Sequence, residues 1–120
     1  MAELELALSF TLVLILIAFS VDLCRAYSQA GVIQNAARQG ARYGMNNPTD
    51  LSTIQSRAVA EATGSGVTLL TNQVSVSTPS GTTSGNPVTV TVTYPFTPMI
   101  AGLLGLQSVA IVRSCTMAIM

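Results

Sequence analysis

Residues 6–21 read LALSFTLVLILIAFSV, sixteen positions without a charge, closed by Glu5 on one side and Asp22 on the other. As a helix this run spans about 24 Å at 1.5 Å per residue. That is slightly short of a bilayer core, and counting Asp22 and Leu23 as interfacial brings it into the range of roughly 17–25 residues that a membrane span uses. Helical character continues beyond the run, because no Pro occurs before Pro48 and only Gly31, Gly40 and Gly44 weaken it. The reading predicts one helix over residues 1–46, with residues 1–23 as its apolar half. In the second half Ala30, Ile33, Ala37, Gly40, Ala41 and Gly44 make a stripe of mostly small side chains at helical spacing, with Gln34, Arg38 and Arg42 on a polar face. Such a stripe lets a sheet or another helix come close. Asn46-Asn47-Pro48 should stop the helix, Asn by tolerating the left-handed conformation and Pro by disfavouring helix in the residue before it.

The start of the chain does not read as a secretory signal, which opens with basic residues, since Glu3 and Glu5 precede the apolar run and no Lys or Arg does. Acid before the span and Arg25 after it also give the wrong bias for a cytoplasmic amino end. Removal of a basic leader ahead of Met1 would resolve both points.

Residues 47–120 read as a small α/β head. A second, short helix can be capped by Asp50 or Ser52, with Gln55 completing a Ser-x-x-Gln capping box, and Leu51, Ile54, Ala58 and Ala62 share one face. Gly64-Ser65-Gly66 ends it. Residues 73–78 and 88–94 alternate apolar and mostly hydroxyl side chains, which predicts two half-buried strands with Val74, Val76, Val88, Val90, Val92 and Tyr94 inward. Between them lies a Gly/Ser/Pro loop, and Pro95 is expected to end the second strand. A third strand over residues 108–119 has apolar side chains on both faces and is therefore expected in the middle of the sheet. The fold class is α+β: a long amino-terminal helix, a short helix and an antiparallel sheet of about three strands.

Composition limits the chemistry. Five Arg balance five acidic residues, with no Lys and no His, so the chain lacks the basic surface that phosphate contacts need, and no nucleic-acid contact is expected. Without His and with only Cys24 and Cys115 there is no zinc-ligand spacing, no haem-attachment motif and no His-based dyad or triad. The expectation is a protein that is not an enzyme and carries no cofactor. Residues 62–112 contain no charge at all, so this stretch is solvated through hydroxyls, which suits a crowded assembly where repeated like charges would repel.

In several segments the chain resembles the TadE-like pilin family, of the tight-adherence branch of type IV pili. The resemblance rests on Glu5 with Leu6-Ala7-Leu8, on residues 21–27 (VDLCRAY) and 32–43 (VIQNAARQGARY), and at the carboxyl end on residues 88–98 (VTVTVTYPFTP) and Thr116-Met117. It implies a leader cut by a prepilin peptidase, leaving Met1 first and Glu5 at the acidic position of type IV pilins. It further implies a structural subunit that is single-pass in the inner membrane before assembly. That subunit would then be stacked by pilus assembly machinery, with other copies of itself, into an extracellular helical filament used for adhesion or surface attachment. A permanently membrane-anchored surface binding module and a minor pseudopilin of a secretion system are the rival readings.

The candidate site residues follow. Met1 and Glu5 would carry assembly, Glu5 either pairing with the free amine of a neighbouring Met1 or simply facing headgroups, with Glu3 as its competitor. Leu6, Leu8, Phe10, Leu12, Leu14, Leu16 and Phe19 would form the filament-core helix surface. Cys24 and Cys115 are candidates for a disulfide, within or between subunits, or for free thiols. Thr78, Ser80, Thr82, Thr83 and Ser84, set among Pro and Gly, are candidate glycosylation positions on an exposed turn. Arg38 and Arg42 lie on a solvated face or pair with Asp22, Asp50 or Glu61 of the same or an adjacent subunit.

Overall fold

A computed structural model describes residues 1–105 and 107–120, with the side chains of residues 101, 103 and 104 outside that description. The molecule measures 73 × 21 × 21 Å, a rod with a head packed along one half. The rod is α1, Ala2–Asn46, 45 residues without a break. It stops where Pro48 requires, but Asn47 closes it at φ −138° and not in the left-handed region, its N–H bonding the Tyr43 carbonyl at 3.1 Å.

The small-residue stripe sets how closely the head can approach α1. Ile33, Ala37, Gly40, Ala41 and Gly44 are buried, joined by Ala36. A Cβ on Gly40 would stand 3.2 Å from Val90 Cγ1 and 3.4 Å from the Ile54 carbonyl; one on Gly44 would meet Ile54 Cδ1 at 3.2 Å and Val88 Cγ2 at 3.3 Å. Hydrogen in place of methyl at these two turns lets the second helix and the sheet close on α1 together.

That second helix, α2, is Leu51–Gly64. Asp50 caps it, Oδ1 accepting from the Thr53 N–H at 3.3 Å and Oδ2 from the Tyr43 hydroxyl at 3.1 Å. The expected Ser-x-x-Gln box does not form, because Gln55 donates to the Val74 carbonyl instead, tying α2 to the first strand. Ile54, Ala58 and Ala62 are fully buried, whereas Leu51 is exposed, being in the first turn before the helix reaches the sheet. Gly66, at φ +91°, turns the chain so that Val67 N–H bonds back to the Ala62 carbonyl and Val67 enters the core.

A 3₁₀ turn, Thr71–Gln73, leads into β1, Val74–Ser77, which pairs antiparallel with β2, Pro87–Phe96, which in turn pairs antiparallel with β3, Val109–Ala118. The strand order is β1-β2-β3, so β2 is central and the expectation of a central β3 is corrected. One face of β3, through Ile111, Cys115 and Met117, packs against the core; Ala110 and Val112 on the other are exposed. Apolar side chains on both faces of that strand thus reflect an uncovered surface and not a middle position.

Register explains why Pro95 does not end β2. Ile119 N–H bonds the Asn86 carbonyl at 2.8 Å, so positions 88, 90, 92, 94 and 96 exchange ladder bonds with β3, while 87, 89, 91, 93 and 95 turn theirs to the other side. Pro87 and Pro95 fall in the second set. Beyond Val92, paired with Val74, β1 no longer flanks β2, so the missing N–H of Pro95 leaves no ladder bond unmade. The close, non-bonded pair Thr89 and Thr116 accordingly brings its hydroxyls to 2.9 Å on the open face of the sheet.

Two predictions follow from this packing. In urea unfolding of the detergent-solubilised chain, Gly40→Leu should lose about 1–3 kcal/mol through overpacking. Gly31→Ala, where an added methyl meets nothing within 4 Å, should gain roughly 0.5–1 kcal/mol from helix propensity. The second concerns acid. Hydrogen bonds from Thr53, then Tyr43, hold the Asp50 carboxyl below the usual aspartate range. Its stabilisation is therefore complete above that range and is lost as pH falls through its own lower value. Unfolding midpoints measured below about pH 4 should fall less steeply in Asp50→Asn than in the parent.

Candidate functional site

The apolar half of α1 leaves the head bare. Leu6, Leu8, Phe10, Leu12, Leu14, Leu16 and Phe19 are 49–74% exposed, and none of the most apolar 18-residue window is covered by the rest of the chain. No side of this segment is polar enough to be a solvated face, so it requires an apolar surrounding that the chain itself does not supply. At its tip the Met1 carbonyl accepts the Glu5 N–H at 3.1 Å, as the first turn of a helix requires, and both side chains are exposed. Among the described residues the Met1 amine makes no ion pair with Glu5 of its own chain.

Where stem meets head, one residue does what the sequence reading did not foresee. Asp22, taken there as an interfacial residue or a partner for Arg38 or Arg42, is 6% exposed. Its two carboxylate oxygens accept from the Met99 and Ile100 N–H groups, each at 3.0 Å, and the Arg25 guanidinium approaches one of them at 3.5 Å. Met99 and Ile100 open α3, Met99–Leu104, a short helix between β2 and β3. Pro98, the residue before it, has no side-chain acceptor, so the first amides of α3 are capped from α1, 77 positions earlier in sequence. Arg25 also lies 5.3 Å over the Phe96 ring, which closes the joint from the sheet side. The available signal was a lone carboxylate at the end of an apolar run and an apolar MIAGLL stretch behind a Pro; nothing in their spacing says that they meet.

The opposite end of the head is organised by Asn86. Its side-chain N–H groups reach the Ser80 carbonyl at 3.0 Å and the Thr83 hydroxyl, while the Gly85 N–H bonds the Ile119 carbonyl at 2.8 Å. Ser80, Thr82, Thr83 and Ser84 are exposed on this loop and Thr78 is half-buried. The Met120 N–H bonds the Met45 carbonyl, so the carboxyl end and this loop sit together at the end of α1 remote from the apolar stem.

Both cysteines are free. Cys24 is exposed on the stem, whereas Cys115 packs against the core at the level of Gln34, whose side-chain N–H bonds the Ser114 carbonyl at 3.1 Å. Ten residues of helix separate those levels, about 15 Å at 1.5 Å per residue, against the roughly 7 Å that a bridge tolerates between Cα atoms. The two thiols are not bridged to each other in this fold. Arg38 and Arg42 are exposed, and the acids considered for them are engaged elsewhere: Asp22 as above, Asp50 by Tyr43, and Glu61 by Asn35 at 2.6 Å. Arg42 instead borders a cleft of about 410 Å³ with Glu61 and with Arg57, which stacks 5.1 Å over Tyr43.

The family described as TadE-like protein matches residues 1–42. The similarity is confined to the long helix. The match runs from the exposed tip through Asp22 and Arg25 to Arg42, within the stripe on which the head packs, in agreement with the resemblance seen in the sequence. No curated protein and no solved structure matches the chain. The matched segment contains a helix long and apolar enough, by length and composition, to cross a membrane.

The joint makes a graded prediction. Asp22→Ala removes both acceptors and Asp22→Asn keeps one, so hydrogen–deuterium exchange of the Met99 and Ile100 amides should rise in the order parent, Asn, Ala. The β2 amides, held by ladder bonds on both sides over residues 89–92, should stay protected in all three.

Proposed function

We propose that this chain is a structural pilin subunit, not an enzyme, which polymerises through its TadE-like helix into an extracellular Tad-type pilus. The observation that carries the reading is the bare apolar surface of residues 6–21 on a rigid rod with a head at one end only. Before assembly the bilayer covers that surface, with the head outside. In the filament the same surface of other copies covers it, so transfer exchanges one apolar surrounding for another and little apolar area meets water on the way. Stacking is head to tail and is driven by machinery that the chain does not contain.

Glu5 sets the register. A carboxylate among Leu4, Leu6 and Leu8 is poorly solvated once other helices surround it, and a cation within bonding distance offsets that cost. The nearest Arg in sequence is Arg25, about 30 Å along the helix at 1.5 Å per residue. The amino group of Met1 is therefore the cation available at that level, and in the proposed stack a neighbouring copy supplies it. Adhesion by the finished filament would use the outward head, whose open sheet face and remote loop are rich in hydroxyls.

Negative-stain microscopy of material sheared from cells tests the reading. The parent should give filaments, and Glu5→Gln should abolish or sharply reduce them while membrane-inserted subunit persists. Normal filament yield from Glu5→Gln with loss in Glu3→Gln would move the role to Glu3, and detergent-soluble monomers with no fibres from the parent would favour the permanently anchored module.

A further inference from the structure

The pilin reading leaves one apolar surface of the head without a role, the end nearest the stem. Residues 99–107 read MIAGLLGLQ, with no charged side chain, and connect β2 to β3. Asp22 fixes the level of Met99 and Ile100, since it holds these first two amides of α3 and is itself the first residue past the uncharged run of the stem. Around that level Leu23, Met99 and Val109 are each 57% exposed. Beside them opens a groove of about 450 Å³, walled by Phe19, Phe96, Ile100 and Ile111. The charges at this level are turned inward or paired: Asp22 is taken up by two N–H groups and Arg25, and Arg25 lies over Phe96.

We propose that α3 and the adjoining groove are a second membrane contact, which seats the head in the interface of the bilayer that the stem spans. The inference rests on the membrane-spanning reading of residues 6–21. Lipid is favoured as the occupant by length. The uncharged run covers about 24 Å at 1.5 Å per residue, against a hydrocarbon core of about 30 Å. The shortfall draws the boundary past Asp22 to Leu23 and α3, within the roughly 5–10 Å to which interfacial apolar surfaces sink. A polar head at this level would meet the mismatch unfavourably. This one presents Met99, Ile100 and Val109, with Asp22 already satisfied, so the boundary can rise over it without stripping water from an unpaired charge. The remote end, with Asn86 and the exposed hydroxyls, then points away from the membrane.

The chain has no Trp, so a single introduced Trp reports one place. The full chain carrying Met99→Trp, Leu12→Trp or Thr82→Trp is reconstituted at low density in phosphatidylcholine vesicles with bromine placed near the headgroup or deep in the acyl chains. Met99→Trp should lose at least half its emission to shallow bromine, Leu12→Trp should lose it to deep bromine, and Thr82→Trp should lose none. Val109→Trp, also at an exposed position, repeats the Met99 measurement should that variant fold poorly. Quenching of Leu12→Trp without quenching at Met99 and Val109 overturns the inference and leaves the span standing. Blue-shifted but unquenched emission at both also overturns it, because protein from another copy then covers the surface. Unquenched Leu12→Trp defeats the span and the inference with it.

Discussion

The structure depends on how closely a sheet and a second helix can approach one side of α1. At Gly40 and Gly44 there is no room for a methyl group without displacing Val90, Val88 or Ile54. A helix surfaced there by ordinary side chains would hold the sheet several ångströms off and open a void along its length, with loss of the contacts that stabilise so small a core. The core that results is built mainly from Ala, Val and Ile, with Leu69, and Phe96 is the one buried aromatic among the described residues. One helix therefore does two jobs, stem over its first half and wall of the head over its second, with no hinge between them. The TadE-like match spans the passage from one to the other.

That division places electrostatics at the junction. A rigid rod cannot by itself keep the β2–β3 connection in place, since α3 is only six residues long and too short to hold its own first turn. Asp22 supplies the two acceptors that the turn lacks, and Arg25 balances the charge while covering Phe96. The carboxylate is the counterpart of a helix cap delivered through space. It joins the apolar stem to the sheet at the level where, in the proposed membrane state, water gives way to lipid.

The head is consequently polar along its length. Its near end is apolar and uncharged, and its far end gathers the hydroxyl loop, Asn86 and the carboxyl terminus. β2 and β3, ten residues each, connect the two ends. In the proposed assembly the bare stem exchanges membrane for filament interior, while the far end of the head meets the outside medium.

Much of this was legible in the sequence because it rests on local rules. The unbroken helix to Asn46, the small-residue stripe and the alternation of Val with Thr in β2 all follow from spacing and composition, and the amino-terminal segment carries its resemblance to the TadE-like family in contiguous residues. Other features depend on which parts of the chain meet. The middle place of β2 follows from pairing partners and not from how apolar a strand is, and Ala110 and Val112 are as apolar on an open face as on a buried one. Pro95 survives inside a strand because β1 ends before it arrives. Gln55 leaves the cap of α2 for the Val74 carbonyl, which only the packing of α2 on β1 brings within reach. Asp22 reaches α3 across 77 positions. Sequence determined the periodic elements, since each side chain's preference acts within a few residues; tertiary structure decided the strand order and the joint, since a hydrogen bond or a covered face depends on a partner's position in space, which no local pattern specifies.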